Sequence, residues 1–168
     1  MLDQLNTRRE LLGAGSLCAV AVMIAVAAGN GTPAAAASFE IRRSPAEWRR
    51  RLGPARFHIL REAGTEPAYS SSLLNEKRKG TYACAGCQLA LFSSATKFDS
   101  RTGWPSFWAP LDGAVGTETD TTLGMSRTSV HCAQCGGHLG HVFDDGPKPT
   151  GLRYCMNGVA MTFAAAAT

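Results

Sequence analysis

The sequence has no internal repeat, no long linker and no basic run beyond Glu76-Lys77-Arg78-Lys79. The first two absences leave one domain for a chain of 168 residues. The third, with a formal charge of only +4, argues against nucleic acid as a partner. The short run itself reads as a solvated turn. Apolar residues make up 45% of the chain, ordinary for a soluble fold, but much of that share sits in one stretch near the N-terminus.

That stretch, Leu11 to Ala28, carries no charge. Thr7-Arg8-Arg9-Glu10-Leu11-Leu12 precedes it and Pro33-Ala34-Ala35-Ala36-Ala37-Ser38 follows. A basic start, an apolar middle and a small-residue end are the layout of an export signal. The paired arginines resemble the twin-arginine signal, which is read by a pathway that moves folded proteins. An uncleaved membrane anchor is the competing reading, since such a run just spans a bilayer. The weakly apolar Ala/Gly core and the alanine run favour cleavage between Ala35 and Ser38. The expectation is an export signal over residues 1–37 and a periplasmic, monomeric domain over 38–168 that is not embedded in a membrane. Removing the signal takes away Cys18 and leaves five cysteines: Cys84, Cys87, Cys132, Cys135 and Cys155. The charge stays at +4, because Arg8 and Arg9 leave together with Asp3 and Glu10.

Ser44-Pro45-Ala46-Glu47 predicts a helix start, with Ser44 as cap, Pro45 at the first position and Glu47 completing a capping box. Gly53-Pro54 interrupts, and a second helical stretch is predicted from Ala55 to Ala63, closed by Gly64. From Thr81 onward, short apolar pieces alternate with turn residues: Leu89–Phe92, Ser129–Cys132, Leu139–Phe143, Arg153–Asn157 and Val159–Phe163. They read as β-strands. The alanines after Phe163 read as a disordered tail.

Cys84-Ala85-Gly86-Cys87 and Cys132-Ala133-Gln134-Cys135 are two C-x-x-C pairs. Two residues between cysteines let a tight turn aim both sulfurs at one ion. Two such turns supply a closed tetrahedral zinc site that is structural, because no coordination position stays open. Residues 88–131 separate the pairs, more than the roughly 15–20 residues of simple zinc ribbons. The site therefore joins distant parts of the chain. Two disulfides are the alternative in an exported protein.

Cys155 is left over, in Arg153-Tyr154-Cys155-Met156-Asn157. On a strand, Arg153, Cys155 and Asn157 share a face and Tyr154 and Met156 take the other. A cation on the thiol's face favours the nucleophilic thiolate, and Asn157 can donate to a reacting oxygen. A buried structural cysteine is the bland alternative. Gly103-Trp104-Pro105-Ser106-Phe107-Trp108 concentrates aromatics suited to an apolar pocket or to core packing. His138-Leu139-Gly140-His141 holds two candidate proton donors. Their spacing puts them on opposite faces of a straight strand, unless Gly140 supplies a bend.

These pieces, in order, resemble the methionine-R-sulfoxide reductases of the B type. The matching segments are Gly64-Thr65-Glu66-Pro67, Tyr82-x-Cys84-x-x-Cys87, Leu91-Phe92-Ser93-Ser94, Thr96-Lys97-Phe98-Asp99-Ser100 and Gly103-Trp104-Pro105-Ser106-Phe107. Further on come His138-Leu139-Gly140-His141-Val142-Phe143, Asp145-Gly146-Pro147 and Arg153-Tyr154-Cys155-x-Asn157. The resemblance spans roughly residues 44 to 163. It implies a mainly β domain of two antiparallel sheets, sandwich-like, with short N-terminal helices and one structural zinc ion. It implies reduction of methionine R-sulfoxide in proteins and peptides, with a thioredoxin-like or other thiol reductant as partner. Cys155 corresponds to the nucleophile, His138 and His141 to polar partners of the sulfoxide oxygen, and Asn157 and Arg153 to supporting groups. Trp104 corresponds to the wall that receives the substrate methyl, with Phe107 beside it. Many members carry a second, resolving cysteine just before Gly103; here that position is Thr102. A one-cysteine cycle follows, reset by an external thiol. Two rivals remain from the residues alone: a zinc-ribbon binding module, and a thiol–disulfide oxidoreductase using a C-x-x-C pair.

Overall fold

The computed structural model describes residues 38–167; the expected export segment, residues 1–37, lies outside them. Among the described residues no helix is long and apolar enough to cross a membrane. The first element among the described residues is helix α1, Pro45–Glu62. The Glu47 amide donates to Ser44 Oγ at 3.3 Å and the Ser44 amide donates to the Glu47 carboxylate at 2.9 Å. This reciprocal cap contributes about 1 kcal/mol. Gly53, at φ 69° and ψ 174°, leaves helical geometry ahead of Pro54, so α1 consists of two segments across a kink. Its apolar face, Trp48, Leu52, Phe57, Ile59 and Leu60, is buried. The C-terminal cap differs from expectation: Ala63, not Gly64, takes the left-handed conformation at φ 52°. Gly64 has another role, since a Cβ there would collide with the His58 ring.

Nine strands follow: β1 Gly80–Cys84, β2 Ala90–Ser93, β3 Lys97–Phe98, β4 Ser106–Phe107, β5 Val115–Asp120, β6 Arg127–Cys132, β7 His138–Phe143, β8 Arg153–Met156 and β9 Met161–Ala165. They form a three-stranded sheet in the order β2-β1-β9 and a six-stranded sheet in the order β3-β4-β8-β7-β6-β5. All pairings are antiparallel. The predicted architecture, mainly β with two antiparallel sheets and a helical N-terminus, is therefore the one observed. Two local expectations fail. Val159 lies in a 3-10 turn, Gly158–Ala160, ahead of β9 rather than in the strand. The first two alanines after Phe163 continue β9: Ala164 and Ala165 pair with Thr81 and Gly80 on the side of β1 away from β2.

Aromatics build the core. Phe92 stacks on Phe107 with ring centroids 4.4 Å apart, and Tyr82 meets Phe107 edge-on at 4.9 Å. All three are fully buried. Each such side chain contributes roughly 1.5–3 kcal/mol through removal from water.

Candidate active site

Strand β8 runs between β4 and β7, and the register sets Cys155 opposite Ser106 on one side and His141 on the other. Opposed residues on antiparallel strands present their side chains on one face, so the pairing itself delivers His141 to the thiol. Gly140 allows β7 to approach β8, since a Cβ there would strike the Cys155 carbonyl. Tyr154 and Met156 turn the other way, as the alternation predicts: Met156 is fully buried and the Tyr154 ring lies 5.9 Å from Phe92.

Cys155 opens into a cavity of about 190 Å³. Trp104 and Phe143 form its aromatic part, while His141, Asn157, Thr65 and Arg127 supply polar groups. The volume fits one side chain rather than a large cofactor. Trp104 is held by its indole N–H, which donates to the Glu66 carbonyl at 3.1 Å. The preceding Gly103 sits at φ 94°, and any side chain there would press on Ala68 and Tyr69. Only glycine meets both conditions.

The two histidines do face the same way, their rings 5.3 Å apart. A β-bulge accounts for it. Val130 pairs with Gly140, but His131 pairs with His138, so Leu139 is an extra residue and the alternation of β7 shifts by one. Their environments diverge. His141 lines the cavity. His138 is buried behind it, with Nδ1 3.1 Å from Ser129 Oγ, and does not line the cavity. Burial first, then the neighbouring His141, pushes the His138 pKa down to about 4. Burial thus disfavours a charged His138 ring near neutrality, and His141 is the histidine that lines the cavity.

A stability prediction follows. An unfolded histidine titrates near 6.5 and the folded His138 near 4. Its neutral form thus favours the folded state fully above pH 6.5, and that contribution falls away as pH drops from 6.5 through 4. The denaturation midpoint of the wild type should fall over this interval more than that of His138→Gln. Parallel decreases in the two proteins would refute it.

Other predicted site residues are redistributed. Arg153 shares the thiol's face but does not line the cavity. Its guanidinium forms a two-pronged pair with Asp145, both contacts at 2.8 Å, and lies 4.4 Å over the Phe143 ring. Asp145 first, and also Cys155, keep it cationic. Asn157 leaves β8, and its amide is already engaged: Nδ2 donates to the Leu139 carbonyl at 3.1 Å and Oδ1 accepts the Glu66 amide at 2.9 Å. It holds the loop beside the cavity with one Nδ2 hydrogen, and the second hydrogen remains as a donor. Phe107 does not reach the cavity at all. It neighbours Ser106 on β4, so it faces the core when Ser106 faces Cys155. Thr102 Oγ1 lies 3.7 Å from the Cys155 sulfur and continues through Ser100 to Ser106 in a chain of hydroxyls at 2.8 and 2.7 Å.

Sequence reasoning assigned no role to Glu66, Phe143 or Asp120. Glu66 is buried, and its carboxylate accepts the Gly158 and Val159 amides at 2.6 and 2.9 Å. With its backbone on Trp104 and Asn157, this one residue ties both sides of the cavity together. Asp120 accepts from His141 Nε2 at 2.7 Å.

The other cysteines among the described residues gather apart from this cavity. The sulfurs of Cys84, Cys87, Cys132 and Cys135 all lie within 4.8 Å of one another and can hold a metal ion. Cys84 and Cys135 sulfurs are 3.7 Å apart, and Cys87 and Cys132 sulfurs 3.5 Å. The cluster joins the β1–β2 turn of one sheet to the β6–β7 turn of the other.

The SelR domain family matches residues 52–165. The chain is 50% identical over 127 residues to a peptide methionine sulfoxide reductase MsrB of Leptospira interrogans, covering 75% of this chain and 97% of that protein. It is 54% identical over 125 residues to the protein of that name from Agrobacterium fabrum, covering 74% of this chain and 93% of the relative. A Pseudomonas putida protein of the same name is 55% identical over 118 residues, 70% of this chain and 89% of the relative. The chain belongs to the B-type methionine sulfoxide reductase family.

Proposed function

We propose that this protein reduces methionine R-sulfoxide in proteins and peptides to methionine, with Cys155 as nucleophile. The observation that carries the reading is a thiol opening into a small cavity, with aromatic rings on one part and an imidazole on another. The Cys155 thiolate attacks the sulfoxide sulfur and a proton passes to the oxygen. The oxygen is left on Cys155 as a sulfenic acid and the thioether departs. The methionine sulfur gains two electrons and the cysteine sulfur loses them. Trp104 and Phe143 suit the methyl group, and His141 suits the oxygen, which is how one epimer is selected. Arg153, held by Asp145, places a cation on the same strand face as the Cys155 sulfur. An assay with each sulfoxide epimer of a blocked methionine and a small dithiol tests this. Turnover of the R epimer is expected; turnover of the S epimer alone would reject the assignment.

Thr102, 3.7 Å from the Cys155 sulfur, stands where many members of the family carry a resolving cysteine, and the other described cysteines are gathered in the four-sulfur cluster. The cycle therefore uses one cysteine, and an external thiol or dithiol resets it. Enzyme treated with substrate and no reductant should gain one oxygen on Cys155 in its mass spectrum. An intramolecular disulfide would contradict this.

The four-sulfur cluster holds one structural zinc ion. Thiolates about 2.3 Å from zinc in a tetrahedron lie about 3.8 Å from each other, and the two sulfur–sulfur distances of 3.7 and 3.5 Å support that fit. A C-x-x-C dithiol oxidoreductase is disfavoured because each pair is drawn into one buried cluster. The protein acts as a monomer after export through the twin-arginine route, which would let zinc load in the reducing cytoplasm before the fold crosses the membrane. Zinc-free protein in the exported fraction would overturn that order.

A further inference from the structure

His141 is not an isolated imidazole. Its Nε2 lies 2.7 Å from Asp120 Oδ2, a residue on the edge strand β5 and 21 positions earlier in the chain. Asp120 is itself held from three directions. The Thr122 amide and hydroxyl donate to its Oδ1, at 2.9 and 2.6 Å, and Arg127 Nη2 donates to Oδ2 at 2.7 Å. The Thr122 donors first, then His141 and Arg127, keep the carboxyl well below its ordinary range, so it stays ionised. Asp120 does not line the cavity, whereas His141 and Arg127 do. Both Asp120 and His141 side chains are largely screened from solvent, at 15% and 12% exposure.

We infer that Asp120 is a positioning residue for the reaction, acting through His141; this rests on the reductase reading given above. An ionised acceptor on Nε2 requires a proton there, which fixes the tautomer of the neutral ring. Nδ1 is then the nitrogen without a protein partner among the described residues, and the one left for substrate. When the ring is protonated, Nδ1–H can donate to the sulfoxide oxygen as the Cys155 thiolate attacks sulfur. That proton ends on the sulfenic oxygen, and the neutral Nε2–H ring remains. The Nε2–H bond to Asp120 persists before and after the transfer, so the ring need not reorient during the step. The Arg127 cation on the same carboxylate oxygen keeps Asp120 from taking the proton itself.

Nitrogen NMR of protein labelled at histidine reads this directly in the resting enzyme, without any assay of activity. Neutral His141 should carry its proton on Nε2 in the wild type; a proton on Nδ1 would overturn the inference whatever the variants do. In Asp120→Asn the Nε2–H form should lose its dominance, and kcat should fall about tenfold to a hundredfold with KM unchanged. This is smaller than the roughly 10²–10⁴-fold that a general acid supplies. Asp120→Glu should restore part of kcat. Unchanged ring nitrogens or unchanged kcat in Asp120→Asn would reject the proposal. If the Nε2–H form is found but no sulfoxide is turned over by the wild type, the pairing stands and the reductase reading, with the catalytic role built on it, falls.

Discussion

Cys155→Ser should lose sulfoxide reduction altogether, by on the order of 10³-fold or more, as removal of a covalent nucleophile does. A serine hydroxyl stays protonated where a thiol is partly ionised, and oxygen cannot take the sulfoxide oxygen as a stable sulfenic acid. The exchange leaves the fold alone: Cys155 is half-buried and serine nearly isosteric, and its register partners Ser106 and His141 pair through backbone. Melting temperature and zinc content should match the wild type. The same variant separates the rivals, since a C-x-x-C oxidoreductase would keep its redox activity and a binding module its binding. Retained reduction of the R epimer would place the nucleophile elsewhere.

Removing the zinc proposed for the four-sulfur cluster should have the other large effect, on the fold rather than on the chemistry. Structural zinc sites contribute about 10–16 kcal/mol of apparent binding energy, against about 5–15 kcal/mol for the net stability of a whole domain. Here the cluster clips the β1–β2 turn to the β6–β7 turn, and β7 carries His141. Without the ion, three buried sulfurs would crowd against one another with no attraction to hold them. A strong chelator, or Cys84→Ser, should lower the melting temperature steeply and abolish turnover in parallel. A metal-free protein that melts where the intact one does would remove zinc from its structural role.

Much of the local structure was legible because its causes are local. The capping box at Ser44, the kink at Gly53-Pro54 and the alternation of Tyr154, Cys155 and Met156 need only the residues around them. The failures share a different character. Gly64 looked like a helix cap, yet Ala63 takes that conformation and Gly64 answers to the His58 ring. Ala164 and Ala165 carry no strand signal and pair because the side of β1 away from β2 extends to Gly80. Phe107 stood beside Trp104 in sequence but turns away from it, since neighbouring strand residues face opposite sides.

The sequence by itself separated the cysteines of the C-x-x-C pairs from Cys155 by spacing, and showed Thr102 where many relatives of the family it resembles carry a second cysteine. Only the tertiary structure decided which polar groups reach that thiol. A single extra residue at Leu139 turns His138 and His141 to one side, and burial then leaves His138 neutral behind His141. Asp120 meets His141 only because β5, β6 and β7 lie side by side, and Glu66 meets Asn157 across most of the chain. Register and bulges depend on the partner strand, and a partner strand is not written in the residues it pairs with.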